Sequence, residues 1–277
     1  MIVAIASGKG GTGKTTLSVN LAKMLAPNVQ LLDCDVEAPN CHLFLEGEVH
    51  ERIIVNRLVP HIDETRCNAC GECARFCAFH AIAMLGTVPL VFPEMCHECG
   101  GCVKVCPVKA IKEKGQPIGV IEKRQSQGVP LVQGRLDIGV AMAPPLIRAV
   151  KACINKETTV IIDAPPGTSC PVLATVRDAD FTVLVTEPTP FGLNDLALAV
   201  GMVRALGVPF GVVINRTGIG DARVHDYCRA QDIPILLEIP DDRRIAEAYS
   251  RGIAVIDAVP EMREHFLNLF NKIRQTI

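Results

Sequence analysis

The 277-residue chain is long enough for one α/β domain with a full core and a small second module. Its formal net charge is only −2, so the composition favours neither nucleic acid nor an anionic membrane surface as a partner. No basic stretch precedes the first apolar residues, and no apolar run is as long as a membrane span. We therefore expect no signal peptide and no transmembrane segment.

In chain order, residues 2–6 have the pattern of a short buried strand, and a glycine-rich loop and a helix follow. A second strand is predicted at 29–32, and it ends in Asp33-Cys34-Asp35. After residue 60 the pattern changes to cysteines with scattered glycine and proline. This stretch interrupts an otherwise regular alternation of elements, so we interpret it as an insertion.

Strand patterns return after the insertion, separated by helical stretches, at residues 136–141, 159–162, 181–186, 210–214 and 235–238. Strands that alternate with helices predict an α/β fold with a mainly parallel sheet covered on both faces. The last segment, 260–277, is predicted to be a helix that closes the core, because four apolar residues share one face: Phe266, Leu269, Phe270 and Ile273.

Residues 8–15 match the pattern G-x-x-x-x-G-K-[ST], directly after a strand and before a helix. Glycines let backbone N–H groups close on phosphates, and the helix N-terminus adds a positive dipole end. Lys14 supplies charge for the β- and γ-phosphates, and the Thr15 hydroxyl is suited to Mg²⁺. The motif predicts an ATP/Mg²⁺ site formed by Gly8, Gly10, Gly11, Thr12, Gly13, Lys14, Thr15 and Thr16.

Lys9 is a second lysine at the start of this loop, and phosphate binding within one subunit does not need it. With residues 10–16 it resembles the deviant Walker A motif of the MinD/Mrp/ParA ATPases, a group that includes the nitrogenase iron protein. The resemblance implies a SIMIBI-type P-loop ATPase that forms a nucleotide-dependent homo- or heterodimer. It gives Lys9 a catalytic role at the partner's nucleotide, beside the catalytic role of Lys14.

Two further segments carry acidic residues of the same resemblance. Asp33 and Asp35 end a strand, where parallel sheets bind ligands. The family implies that Asp35 orients the attacking water and that Asp33 supports Mg²⁺ indirectly. Residues 161–167 resemble a Walker B strand followed by switch II, which places Asp163 on a Mg²⁺-bound water.

The adenine site is expected from two later segments. Residues 213–216 resemble the adenine-binding strand end, with Asn215 reading the base edge and Arg216 beside it. Residues 239–241 resemble the second adenine loop, which gives roles to Pro240 and Asp241. Ordinary turn chemistry is the alternative explanation for Asn215 and Asp241.

Cysteine is unusually abundant, with 13 residues in the chain and eight of them from Cys67 to Cys106. An odd count without a secretory signal argues against a disulfide scaffold, and it favours metal-binding thiols in a reducing cytoplasm. We therefore expect a cytoplasmic protein.

The eight clustered cysteines form the pattern C-x2-C-x2-C-x3-C twice, 29 residues apart. This is the spacing of bacterial ferredoxins with two [4Fe–4S] clusters, in which the fourth cysteine of each run serves the other cluster. The expected ligands are Cys67, Cys70, Cys73 and Cys106 for cluster one, and Cys96, Cys99, Cys102 and Cys77 for cluster two. Zinc is the alternative, but zinc sites rarely repeat this run in register.

The whole chain resembles MinD-superfamily P-loop ATPases with an inserted, α+β, bacterial-ferredoxin-like domain. This divides it into ATPase residues 1–58, a cluster domain at 59–117, and ATPase residues 118–277. The resemblance implies an ATP cycle coupled to electron transfer or metal-cluster maturation on a redox or metallocluster client protein. The alternative is an ATP-switched spatial regulator or binding protein whose clusters are structural or sensory.

Cys170 lies seven residues after Asp163. This offset resembles a cysteine of the nitrogenase iron protein that binds a cluster shared across the dimer. The second cysteine that such a site needs is missing from residues 141–145. The alternative for Cys170 is a small residue packed at the start of a helix.

Overall fold

A computed structural model describes all 277 residues. The strands, in chain order, are β1 (Ile2–Ala6), β2 (Val29–Asp33), β3 (Val49–Ile62), β4 (Ile82–Leu85), β5 (Val88–Val91), β6 (Ile111–Ser126), β7 (Val129–Leu136), β8 (Thr159–Asp163), β9 (Phe181–Thr186), β10 (Phe210–Thr217) and β11 (Ile235–Pro240). The α-helices are α1 (Lys14–Leu25), α2 (Glu72–Phe76), α3 (Gly101–Val105), α4 (Pro144–Lys151), α5 (Cys170–Val176), α6 (Pro190–Leu206), α7 (Arg223–Ala230), α8 (Arg243–Ser250), α9 (Val255–Ala258) and α10 (Met262–Thr276).

Nine strands form one sheet in the order β11-β10-β9-β1-β8-β2-β7-β6-β3. Every neighbouring pair from β11 to β7 is parallel, whereas β7–β6 and β6–β3 are antiparallel. The predicted mainly parallel α/β sheet is thus confirmed.

The sheet is covered on both faces, as its alternating residues show. Val3 and Ile5 of β1 pack into a core with α1, α9 and α10, while Ala4 and Ala6 face a second core with α5, α6 and α7. Successive strand side chains point to opposite faces, so a strand buried on both sides must be apolar throughout. The predicted C-terminal helix is confirmed as α10, whose four apolar residues lie in the first core. No helix combines the length and apolar character needed to cross a bilayer.

The predicted strand at 136–141 is wrong. The strand here is β7, which ends at Leu136, and Ile138 beyond it is fully exposed. Gln127 and Gly128 both have positive φ and form the tight turn that joins β6 to β7. This hairpin fixes the strand at 129–136, so the alternating apolar residues that follow it belong to a loop.

β3 and β6 carry the cysteine-rich segment away from the sheet. They pair along their whole lengths, up to Ile62 opposite Ile111, whereas β6 pairs with β7 only from Gly119 onward. The two strands therefore continue past the sheet as a ribbon. The sequence-based boundaries at 59 and 117 fall inside these strands, and the compact part spans residues 63–110.

The repeated sequence in this compact part is also a repeat of backbone conformation. Each half holds one short helix, α2 or α3, and the two halves share the β4–β5 hairpin. Equivalent residues in the two halves have positive φ: Ala69 and Glu98, Gly71 and Gly100, and His80 and Lys109. Equivalent backbone bonds also reach sulfur, from Ala81 N to Cys77 Sγ and from Ala110 N to Cys106 Sγ, both 3.3 Å.

Candidate functional site

The phosphate-binding loop joins β1 to α1, and α1 begins at Lys14. Gly13 has φ of 98°, and a Cβ there would lie 2.4 Å from Asn215 Nδ2. Gly8 is similarly confined, because a Cβ would lie 2.2 Å from the Asp195 carbonyl oxygen. Close packing therefore requires glycine at both positions, and at Gly13 the backbone conformation requires it as well.

Asp163, at the end of β8, accepts hydrogen bonds from two residues of α1. Thr15 Oγ1 donates to Oδ2 at 2.7 Å, and Ser18 Oγ donates to Oδ1 at 2.9 Å. The fold therefore brings together Thr15 and Asp163, which the sequence assigned to Mg²⁺. Ser18 was not predicted, although its place one helical turn after Lys14 puts it on the same side of α1.

Asp33 organises the loop that carries Asp35. Its Oδ2 accepts from the backbone N of Asn40 at 2.9 Å and of Cys41 at 3.0 Å, and its Oδ1 accepts from Asp35 N at 3.1 Å. Cys41, also not predicted, donates its thiol to Asp163 Oδ2 at 3.5 Å. Because Asp33 already accepts three backbone bonds, this geometry favours indirect support of a metal ion.

Burial shapes the charges of these groups. It raises the pKa of Asp33 to about 7, an effect that the neighbouring Asp163 charge increases. Burial likewise raises the pKa of Asp35 to about 6 and lowers the pKa of Lys14. Burial also raises the pKa of Asp163, although the hydrogen bonds that it accepts from Thr15 and Ser18 of α1 act to lower it. A divalent cation placed here would stabilise the ionised carboxylates.

A cavity of about 400 Å³ joins the phosphate loop to the predicted adenine segments. Asp35 lines it, as do the predicted adenine-contacting residues Asn215, Arg216, Pro240 and Asp241. Asn215 Nδ2 donates to the Thr12 carbonyl at 2.8 Å, so this side chain braces the phosphate loop. Its predicted contact with the base edge stays a prediction.

Lys9 forms an ion pair within the single chain. Its Nζ lies 3.1 Å from Glu187 Oε2, and Arg216 Nη1 lies 3.2 Å from Glu187 Oε1. Glu187 follows β9 and is only 7% exposed. No sequence motif identified this carboxylate, which links the additional lysine of the phosphate loop to a predicted adenine residue.

The eight clustered cysteines line two separate cavities, and each set of four matches one predicted ligand set. The larger cavity, about 210 Å³, is lined by Cys77, Cys96, Cys99 and Cys102. The smaller, about 20 Å³, is lined by Cys67, Cys70, Cys73 and Cys106. Burial raises the pKa of Cys102 to about 11 and also raises the pKa of Cys73, one thiol in each cavity. Four thiols around one cavity suit an iron–sulfur cluster or zinc.

Cys170 is the first residue of α5 and is exposed. It stands at the start of a helix, as the alternative interpretation expected, but its side chain is exposed rather than packed.

Comparison with known proteins is consistent with this geometry. A family model described as the CobQ/CobB/MinD/ParA nucleotide binding domain matches residues 3–255. An uncharacterized protein of Methanocaldococcus jannaschii is 33% identical over 100% of this chain and 98% of its own length. An iron-sulfur cluster carrier protein of Aquifex aeolicus is 24% identical, covering 100% of this chain and 68% of that protein.

Among solved structures, the septum site-determining protein MinD complexed with Mg-ADP from Pyrococcus horikoshii superimposes with a TM-score of 0.58. It is 22% identical and covers 98% of this chain and 95% of its own. The chain therefore belongs to the CobQ/CobB/MinD/ParA nucleotide-binding family and is a P-loop ATPase of the MinD/ParA type.

Proposed function

We propose that this protein couples a cycle of ATP binding, dimerisation and hydrolysis to electron transfer, or to metal-cluster maturation, on a partner protein. The observation that carries the proposal is the pair of cysteine cavities, each lined by the four residues of one predicted cluster. They lie in a compact segment that a continuous ribbon ties to the sheet of the ATPase.

The nucleotide chemistry is assigned to residues around the 400 Å³ cavity. Lys14 neutralises the β- and γ-phosphates, and Thr15 and Asp163 hold Mg²⁺ and its water. Asp35 orients the attacking water from the loop that Asp33 fixes. Lys9 serves the nucleotide of a second subunit, homo- or heteromeric, so its ion pair with Glu187 must open when the dimer forms.

The cysteine module is proposed to bind two [4Fe–4S] clusters. When bound, such clusters carry single electrons at potentials set by charge, hydrogen bonds and exposure. The chain supplies four thiols to each cavity, and the Ala81 and Ala110 N–H groups donate to the ligand sulfurs of Cys77 and Cys106. Donors to sulfur of this kind stabilise a reduced cluster.

The surface of the module offers two points of electron exchange. Cys70 and Cys99 are exposed, one in each set of four, while the other six ligands are at least partly buried. Each cluster therefore approaches the surface at one sulfur. A client protein that docks at either point meets a cluster without any rearrangement of the module.

The first experiment is a metal count on anaerobically purified protein. We expect about eight iron atoms and about eight acid-labile sulfides per chain. Replacing Cys99 by Ala removes one ligand of the second cavity and lowers the iron content by about half. The matched control is Cys228→Ala, which removes a buried thiol far from both cavities and keeps all the iron.

A second possible result of the metal count would contradict the proposal. Stoichiometric zinc and a colourless protein would eliminate the iron–sulfur proposal while leaving the ATPase assignment in place. A client is sought by anaerobic capture with and without a non-hydrolysable ATP analogue. Binding that depends on the analogue supports a partner that recognises the ATP-bound dimer.

A further inference from the structure

Glu98 joins the cysteine module to the ATPase part of the chain. It lies between two ligands of the second cavity, Cys96 and Cys99, with φ of 55°. Its Oε1 accepts from Leu58 N at 2.9 Å, and its Oε2 lies 3.4 Å from Arg148 Nη2 of α4. The equivalent residue of the first repeat is Ala69, so only the second repeat has this carboxylate.

The second cavity is also the one nearer to the ATPase sheet. Leu58 and Pro60 of β3 line it, whereas the first cavity is lined by Ile62 and Ile111 at the end of the ribbon. A strand rises about 3.3 Å per residue, so two to four residues correspond to about 7–13 Å along the ribbon. Any signal from the nucleotide site therefore meets the second cavity first.

The last residue of α4, Lys151, contacts the end of the helix that follows Asp163. Lys151 Nζ donates to the carbonyl oxygens of Ala174 and Thr175, both at 3.0 Å, and also to that of Arg177. These carbonyls end α5, which begins three residues after Gly167, the last residue of the predicted switch II segment. One short helix thus contacts both the helix that follows the predicted switch II segment and a residue that lines the second cysteine cavity.

We propose that α4 transmits the nucleotide state to the second cysteine cavity through the contact of Arg148 with Glu98. This inference rests on the proposed function, since it requires a cluster in that cavity. When γ-phosphate orders the switch II segment, α5 moves, and Lys151 transfers the movement to α4. A changed Arg148–Glu98 distance then alters the charge and the backbone position beside Cys96 and Cys99, which set the potential of a bound cluster.

The test is an anaerobic redox titration, followed by electron paramagnetic resonance, with ADP and with a non-hydrolysable ATP analogue. We expect the analogue to shift one cluster potential in the wild-type protein. By linkage, its affinity then differs about five-fold or more between oxidised and reduced protein. Arg148→Gln and Glu98→Gln each reduce this ratio to near one, and the double variant reduces it no further.

The variants are chosen to separate coupling from folding and from simple charge effects. Glu98→Gln keeps an acceptor oxygen for Leu58 N, and Arg148 is 62% exposed, so neither change disrupts the core. The matched control is Arg75→Gln. It removes an arginine that is 64% exposed and pairs with Glu72 inside the module, away from α4. It therefore shifts absolute potentials but keeps the nucleotide-dependent difference.

Three outcomes overturn the proposal. If Arg148→Gln retains its iron and the full wild-type ratio, α4 does not transmit the nucleotide state, although the proposed function stands. A wild-type protein with full iron and identical potentials in both nucleotides excludes coupling within the chain. Zinc in place of iron removes the proposed function itself, and the metal count made before titration distinguishes this case.

Discussion

Replacing Gly13 by Ala tests whether the phosphate loop depends on both its backbone conformation and its contact with Asn215. Alanine at φ of 98° costs about 1–2 kcal/mol in left-handed backbone strain. Its Cβ, 2.4 Å from Asn215 Nδ2, also displaces the amide from the Thr12 carbonyl, which loses about 0.5–1.5 kcal/mol for the hydrogen bond. The sum is about 1.5–3.5 kcal/mol.

The assay is thermal unfolding of the nucleotide-free protein. A loss of this size lowers Tm by about 3–14 °C in a chain of this length. The matched control is Gly10→Ala in the same loop. Gly10 lacks the positive φ of Gly13, and its added Cβ meets nothing within 4 Å. We expect a change below about 0.5 kcal/mol there.

A double variant separates the backbone strain from the loss of the Asn215 hydrogen bond. Asn215→Ala removes the clash but not the strain, so Gly13→Ala should cost about 1–2 kcal/mol in that background instead of the full amount. Equal destabilisation by Gly13→Ala and Gly10→Ala would refute the reasoning. So would a full cost of Gly13→Ala that persists without the Asn215 amide.

Three further predictions concern the nucleotide site. Lys14→Ala should abolish tight ATP binding measured by calorimetry. Lys9→Ala should still bind ATP as a monomer but should lose the ATP-dependent dimer and turnover. Normal turnover by Lys9→Ala would contradict the dimer mechanism. Asp35→Ala should bind ATP, hydrolyse it about 100-fold more slowly and accumulate the dimer. Failure of this variant to bind ATP would indicate a structural role for Asp35 instead. Burial raises the folded-state pKa of Asp33 to about 7 and of Asp35 to about 6. The metal-free folded protein therefore holds more protons than the unfolded chain from about pH 4 to pH 7, and its stability should fall as pH rises through that window. Binding of Mg²⁺ with nucleotide should release protons near neutral pH. Calorimetry in buffers of different ionisation enthalpy would detect this release. Binding without proton release would contradict the raised pKa values.

Local patterns predicted the parts of the fold that depend on local chemistry. The phosphate loop was recognisable because a strand, six residues with fixed glycines and a helix start are all contiguous. The strands β8, β9 and β10 were found because a strand buried on both faces is mainly apolar. The carboxylate that pairs with Lys9 belongs to Glu187, and it could not be found in this way. Glu187 is brought to the loop only by the parallel pairing of β9 with β1.

The antiparallel edge was missed for a related reason. β3 forms the open edge of the sheet beside β6, and exposed charged residues interrupt both strands: Glu51 and Arg52 in β3, and Lys112, Glu113 and Lys114 in β6. Such strands lack the continuous apolar run by which buried parallel strands are recognised. The interpretation of a cysteine insertion starting near residue 59 therefore placed its boundary within a strand rather than at the end of the ribbon.

The ribbon has a mechanical consequence. Eight residues of β3, Val55–Ile62, extend at or beyond the last pairing of β6 with β7. At about 3.3 Å per residue this is an arm of about 26 Å, formed by two antiparallel strands and joined to the rest of the sheet through the pairing of β6 with β7. A tilt of about 10° at its base, similar to known rigid-body switching motions, would carry the far end through about 5 Å. A small rotation at the sheet edge thus becomes a larger displacement at the end of the arm, where the first cysteine cavity lies. The distance between that cavity and any docked protein is therefore the quantity most sensitive to movement of the ATPase.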